Sequence, residues 1–223
     1  MEHHPKHTRV SNMLLEIPEQ AALRWLAPRT PRWVTPDLLT GIGFFAAILS
    51  AVSYGLTILS PWFLWLASFG WVLNWFGDSL DGTLARHRRE ERPKYGFFID
   101  HSLDVLGGFL IGAGIGLSPY VRFDFAMVAL SGYLLMSVSV YVRLHVTGIF
   151  QMTYSRIGTT EIRIFVILVN TLIFFIGNPR VSTFIGDTTV YDVIALFFGI
   201  TLIATFVVVT LVVGARLRKS ESR

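Results

Sequence analysis

The chain has 223 residues, 52% of them hydrophobic and only 15% charged, with a mean hydropathy of +0.56. These values exceed those of an ordinary soluble domain and indicate an integral membrane protein. Cysteine is absent, which excludes disulfides and thiolate metal sites, and the net charge of +4 is less informative than where the basic residues fall.

In chain order, residues 1–35 form a first unit without an early apolar run of signal-peptide type. His3, His4 and His7 lie in a polar tail and are expected to be solvated. From Met13 to Trp33, Leu14, Leu15, Ile17, Leu23, Trp25 and Leu26 alternate with Glu16, Glu19, Arg24, Arg29 and Arg32. This pattern predicts a cytoplasmic, interfacial amphipathic segment with tryptophans at headgroup level. Pro28, Pro31 and Pro36 end it. Residues 36–223 then read as one membrane domain. Six spans are predicted, at about 37–59, 61–85, 96–118, 124–147, 161–177 and 190–214, each near the ~20 residues that cross a bilayer. Pro61, Pro119 and Pro179 fall at turns between them. All should be helices, because an open strand edge cannot be satisfied in lipid. The fold class is therefore an all-α integral membrane protein.

Orientation follows from lysine and arginine. Seventeen of the nineteen lie before the first span, in the 86–95 loop, between 143 and 163, or in the C-terminal tail; only Arg122 and Arg180 fall on the other side. The positive-inside rule makes the first side cytoplasmic. A multi-pass protein, with a bacterial inner membrane as its expected location, would place both termini there.

At the end of the second span and the start of the third lie Gly77-Asp78-Ser79-Leu80-Asp81-Gly82-Thr83-Leu84-Ala85-Arg86 and Gly96-Phe97-Phe98-Ile99-Asp100-His101-Ser102-Leu103-Asp104. Asp78 and Asp81 are i,i+3 neighbours, and Asp100 and Asp104 are i,i+4 neighbours, so each pair points from one helix face. Carboxylates beside hydrocarbon are costly unless a cation compensates them. Hard oxygen ligands suit Mg²⁺, Mn²⁺ or Ca²⁺ rather than zinc. Gly82 and Ala85 leave room for a ligand against the backbone, and Arg86 offers a phosphate a planar fork of donors. The set describes a site for a nucleotide diphosphate on the cytoplasmic face.

The spacing D-x2-D-G-x2-A-R, then G-x3-D-x3-D, carried here by Asp78, Asp81, Gly82, Ala85, Arg86, Gly96, Asp100 and Asp104, resembles the signature of the CDP-alcohol phosphotransferases (phosphatidyltransferases). Trp33 to Thr40 is similar to the family's entry into its first membrane helix. The resemblance implies a six-helix domain and homodimers. It also implies Mg²⁺ or Mn²⁺, two ions by expectation, held by Asp78, Asp81, Asp100 and Asp104, with Asp104 taking the acceptor's proton. Asp81, Gly82, Ala85, Arg86 and Gly96 would border the nucleotide and its phosphates. The implied reaction transfers a phosphatidyl group from CDP-diacylglycerol to a small polar alcohol, releasing CMP. Its partners would be the CDP-linked lipid donor, the alcohol acceptor and membrane lipids, with no nucleic acid.

Arg143, Arg156, Glu161 and Arg163 follow at the same membrane level and are candidate acceptor-binding residues. Asn74, one turn before Asp78, is a candidate to orient the aspartates, and His101 is a weaker catalytic candidate. Phe98-Ile99-Asp100-His101-x2-Asp104 also looks like the choline/ethanolaminephosphotransferase branch, which uses diacylglycerol as acceptor. A UbiA-type prenyltransferase shares paired aspartate motifs but not the Asp78-x2-Asp81-Gly82 spacing. An ion pathway would distribute its acidic residues along a pore rather than gather them at one face.

Overall fold

A computed structural model of the chain describes residues 8–9, 14–150, 158–183 and 186–222. His3, His4, His7 and Arg156 lie outside the described residues. The chain is built from helices: α1 (Glu16–Leu26), α2 (Pro36–Leu56), α3 (Phe63–Arg88), α4 (Pro93–Leu117), α5 (Phe123–Thr147), α6 (Thr159–Ile176) and α7 (Val190–Glu221). A single 3₁₀ turn, Ala27–Arg29, joins α1 to the loop before α2. Two short strand pairs lie outside the helices. β1 (Thr8–Arg9) runs parallel to β2 (Ile149–Phe150), and β3 (Arg180–Thr183) forms a hairpin with β4 (Gly186–Thr189). Each pair satisfies backbone groups that a loop would otherwise leave open.

The helix starts follow local chemistry. The Thr35 side chain accepts from Leu38 N at the head of α2, where Pro36 needs no hydrogen-bond partner. Thr189 and Asp192 form a reciprocal capping box at the head of α7. Helix α3 ends on Arg89 in the left-handed region, at φ 59°.

Five helices, α2, α4, α5, α6 and α7, are long and apolar enough to cross a membrane. Helix α3 spans 26 residues, about 39 Å at 1.5 Å per residue. It is less apolar than those five: Asn74 and Asp78 lie within its more apolar part, and Asp81, Arg86, His87 and Arg88 follow in its last turns.

The bundle is assembled around α2 and α3. A side chain at Gly77 would meet Gly43 N and Leu39 O at 2.5 Å, so these two helices touch through backbone. Helix α4 packs on α2 and α5, α7 packs along α5, and α6 packs chiefly along α3. Within the bundle, Tyr54 donates to Asn170 Oδ1 and accepts from Trp71 Nε1, while Asn170 Nδ2 donates to Ser68 Oγ. All four groups are thereby paired in an apolar setting. Helix α1 buries Leu23 beside Leu80 and Leu84 of α3, and turns Ile17 and Trp25 outward.

Candidate active site

The two halves of the aspartate motif lie on neighbouring helices around one cavity of about 1560 Å³. Asp78, Asp81, Gly82 and Arg86 from α3 line it together with Asp100, His101 and Asp104 from α4. The close crossing at Gly43 and Gly77 sets this arrangement, because Asp78 is the next residue and its backbone N would be 3.2 Å from a side chain at Gly43. The cavity continues between apolar walls, including Leu64, Ile111, Val169 and Ile194, to Tyr120 and Tyr191 at the other end of the bundle.

Each aspartate has its own partner. Asp81 is buried, and Thr40 Oγ1 of α2 donates to its Oδ2 at 2.5 Å. Asp78 is ion-paired with Arg163 of α6, whose Nε also donates to Asn74 Oδ1 at 3.1 Å. Asn74 in turn donates to Gly43 O at 2.9 Å, so the residue one turn before Asp78 links three helices. Asp100 lies 3.2 Å from His101 Nδ1. Tyr133 of α5 donates to the Asp104 backbone carbonyl at 3.0 Å, and Tyr141 reaches that of His101 at 3.4 Å. The Asp104 carboxyl meets that of Asp78, while Asp78 and Asp100 both act electrostatically on Asp81.

The donor set suits a divalent cation. Four carboxylates share the site, and Arg163 is the one guanidinium ion-paired to any of them among the described residues. Ligand atoms of Asp100, His101 and Asp104 lie within 4.8 Å of one another. One positive partner for four clustered carboxyls leaves them crowded with like charge that a hard cation would offset.

The other expected residues divide. Gly82 and Arg86 line the cavity, Arg86 donating to Thr83 Oγ1 at 3.2 Å, whereas Ala85 and Gly96 are not among its lining residues. Arg163 is 7% exposed, and its Nη1 has no hydrogen-bond partner among the described residues. Glu161 caps α6 by accepting from Gly158 N at 2.9 Å, and it also accepts from Leu15 N at 2.8 Å. Arg143 stands on α5 away from the cavity lining.

Thr40, Glu19 and Tyr133 were not expected at the site. Thr40 lies 41 positions from Asp81, and no local spacing links the two. His101 sits closer to the aspartates than its 100° offset from Asp100 suggests, because its imidazole folds back onto the neighbouring carboxylate.

Residues 33–212 match the model of the CDP-alcohol phosphatidyltransferase family. The chain is 27% identical to cholinephosphotransferase 1 of Danio rerio over 186 residues, 77% of this chain and 46% of that protein. It is 34% identical to archaetidylinositol phosphate synthase of Pyrococcus horikoshii over 106 residues, 48% of this chain and 53% of that protein. Phosphatidylinositol phosphate synthase of Cutibacterium acnes is 37% identical over 84 residues, 38% of each chain. The chain thus spans about half the length of the relatives it matches first. With the family match running from before α2 into α7 and six of the eight signature residues, the four aspartates among them, lining one cavity, the chain belongs to the CDP-alcohol phosphatidyltransferase family.

Proposed function

We propose that the chain transfers a phosphatidyl group from CDP-diacylglycerol to the hydroxyl of a small polar, phosphate-bearing alcohol. The observation that carries this reading is the gathering of Asp78, Asp81, Asp100 and Asp104 round a cavity that Arg86 and Arg163 also line. The acceptor oxygen forms a bond to the distal phosphorus, the bond from that phosphorus to CMP breaks, and the hydroxyl proton passes to the Asp104 carboxylate. Mg²⁺ or Mn²⁺ held by Asp78, Asp81, Asp100 and Asp104 would neutralise the pyrophosphate and the departing CMP.

The protein's own groups do the rest. Arg86 binds donor phosphate, and Gly82 leaves space beside it for the nucleotide. Thr40 orients Asp81, and Tyr133 holds the backbone of Asp104. The buried Arg163 Nη1 is a donor suited to an anionic acceptor, which favours a phosphate-bearing alcohol. The apolar walls below the aspartates suit the donor's acyl chains.

In the membrane, α3 makes the sixth crossing beside the five apolar helices, and residues 36–223 form the catalytic domain. Residues 1–35 are cytoplasmic, with α1 in the interface: Ile17, Trp25 and Trp33 are 83%, 58% and 74% exposed. The active site faces the cytoplasm, and the protein is a homodimer.

A second reading has a specific support. The match to cholinephosphotransferase 1 covers more of the chain than the matches to the inositol phosphate synthases. In that reading CDP-choline or CDP-ethanolamine is the donor and diacylglycerol the acceptor.

The test is CMP release by purified protein in lipid. CDP-diacylglycerol is offered with glycerol phosphate, inositol phosphate or serine, and CDP-choline or CDP-ethanolamine with diacylglycerol. Release only with CDP-diacylglycerol and a phosphate-bearing alcohol supports the first reading; release only with diacylglycerol as acceptor replaces it with the second. Full activity in excess chelator would remove the metal from either.

A further inference from the structure

Glu19 lies outside the aspartate motif and 56 residues from its first partner on α3. Its Oε1 accepts from Trp75 Nε1 at 2.8 Å, from Ser79 Oγ at 3.1 Å and from Thr160 Oγ1 at 2.8 Å. Trp75 and Ser79 bracket Asp78 on α3, and Thr160 is one turn before Arg163 on α6. One oxygen from α1 therefore bridges the two helices whose Asp78 and Arg163 meet across the site.

Helix α6 packs chiefly along α3. Away from the aspartates the pair is held by Asn170 on Ser68 and by Phe174 against Trp62 and Trp65. At the end that bears the aspartates, the hydrogen bonds that link the two helices among the described residues are those of Arg163 and the Glu19 bridge. Lipid supplies no hydrophobic drive between helices, so specific polar ties and close packing set their spacing. Arg163 ties α6 to α3 through Nε and its ion pair with Asp78, and where its remaining Nη1 points depends on what else holds the start of α6 in place. Glu19 does so from a helix outside the pair, and the bond from Leu15 N to Glu161 adds a second link from the same segment to α6.

We propose that Glu19 is a positioning residue for the transfer reaction. It fixes the α3–α6 spacing and so the placement of Arg163 toward the acceptor. This rests on the phosphatidyltransferase reading above. Losing the bridge should affect the acceptor side, which depends on α6, more than the donor side, which α2 and α3 build.

The test compares Glu19→Ala with Glu19→Gln, whose amide oxygen can still accept two of the three bonds. Glu19→Ala should raise the acceptor KM about tenfold or more while CDP-diacylglycerol affinity changes little. Glu19→Gln should restore most of the loss, and Thr160→Val, which cuts only the α6 bond, should reproduce part of it. A purely structural role would lower thermal stability and the active fraction with the acceptor KM unchanged.

The chain has no native cysteine, so nitroxides at Val72→Cys and Ile164→Cys, both exposed, report the α3–α6 distance in the full chain in lipid nanodiscs. Glu19→Ala should broaden that distance distribution, and Glu19→Gln should keep it narrow. An unchanged distribution, or a KM that does not move, overturns the proposal. If the unmodified chain turns over no CDP-linked donor, the functional reading fails, and the distance measurement by itself decides whether Glu19 holds the helices.

Discussion

Replacing Gly77 by alanine adds a single methyl group, yet it should nearly silence the enzyme. A Cβ at this position would lie 2.5 Å from both Leu39 O and Gly43 N and 2.8 Å from Gly43 Cα. All three are backbone atoms of α2 and cannot rotate away. Ordinary contact requires the two helices to separate by about 1 Å, and such overpacking costs about 1–3 kcal/mol. Helix propensity works in the opposite direction, because alanine in a helix interior is favoured over glycine by about 1 kcal/mol. Packing therefore outweighs propensity, and the net loss of stability should be modest. The catalytic loss should be larger. Asp78 is the next residue, and shifting a reacting group by about 1 Å costs on the order of a hundredfold in rate. The measurement is CMP release alongside thermal unfolding, with Gly41→Ala as control because a side chain there meets nothing within 4 Å. Gly77→Ala should lose about a hundredfold in kcat/KM while Gly41→Ala retains activity. Equal activity in the two variants would refute the claim that backbone contact between α2 and α3 sets the aspartate geometry.

Thr40→Val keeps the side-chain shape but removes the bond to Asp81, a charge-assisted contact of about 1.5–3 kcal/mol. Turnover should fall about tenfold or more and recover in Thr40→Ser, as read by CMP release. Gly82→Val would place a Cβ 3.3 Å from Arg86 Nη1 and push the guanidinium from its position. CDP-diacylglycerol binding, measured at equilibrium, should weaken about tenfold, and unchanged affinity would show that Arg86 does not bind the donor. The positive-inside assignment predicts that an impermeant thiol reagent labels Ser182→Cys, but not Ser220→Cys, in intact cells. The reverse pattern would put the aspartates on the other side of the membrane.

Much of the site was legible because its ligands repeat at helical spacing. Asp78 with Asp81, and Asp100 with Asp104, needed only the 3.6-residue period to be placed on single faces. The cavity that joins them is consistent with that reading. Glu161 shows where such reading stopped. An acidic residue near a membrane helix end can pair with Arg163, bind an acceptor or cap the helix, and only the bonds to Gly158 N and Leu15 N identify the cap. Arg163 was legible as a cation at the membrane level of the aspartates, but its burial and its pairing with Asp78, 85 positions away, were not.

The apolar helices, most of their ends and the register of the aspartate motif were readable from the chain alone. These depend on hydropathy, capping and periodicity within a few residues. Even the difference between α3 and the five strongly apolar helices is local, because the polar residues that lower its hydropathy are the ones that build the site. Which groups support those aspartates depended instead on the packing of the helices. Thr40 on Asp81, Arg163 on Asp78, Tyr133 behind Asp104 and Glu19 between α3 and α6 all depend on how far each helix is rotated and how closely it approaches its neighbour. That approach is set by contacts such as Gly43 with Gly77, where the missing side chains let two backbones touch. A glycine carries no mark in the sequence of the partner it will meet, so the chemistry of each residue was readable from the chain but its partner was not.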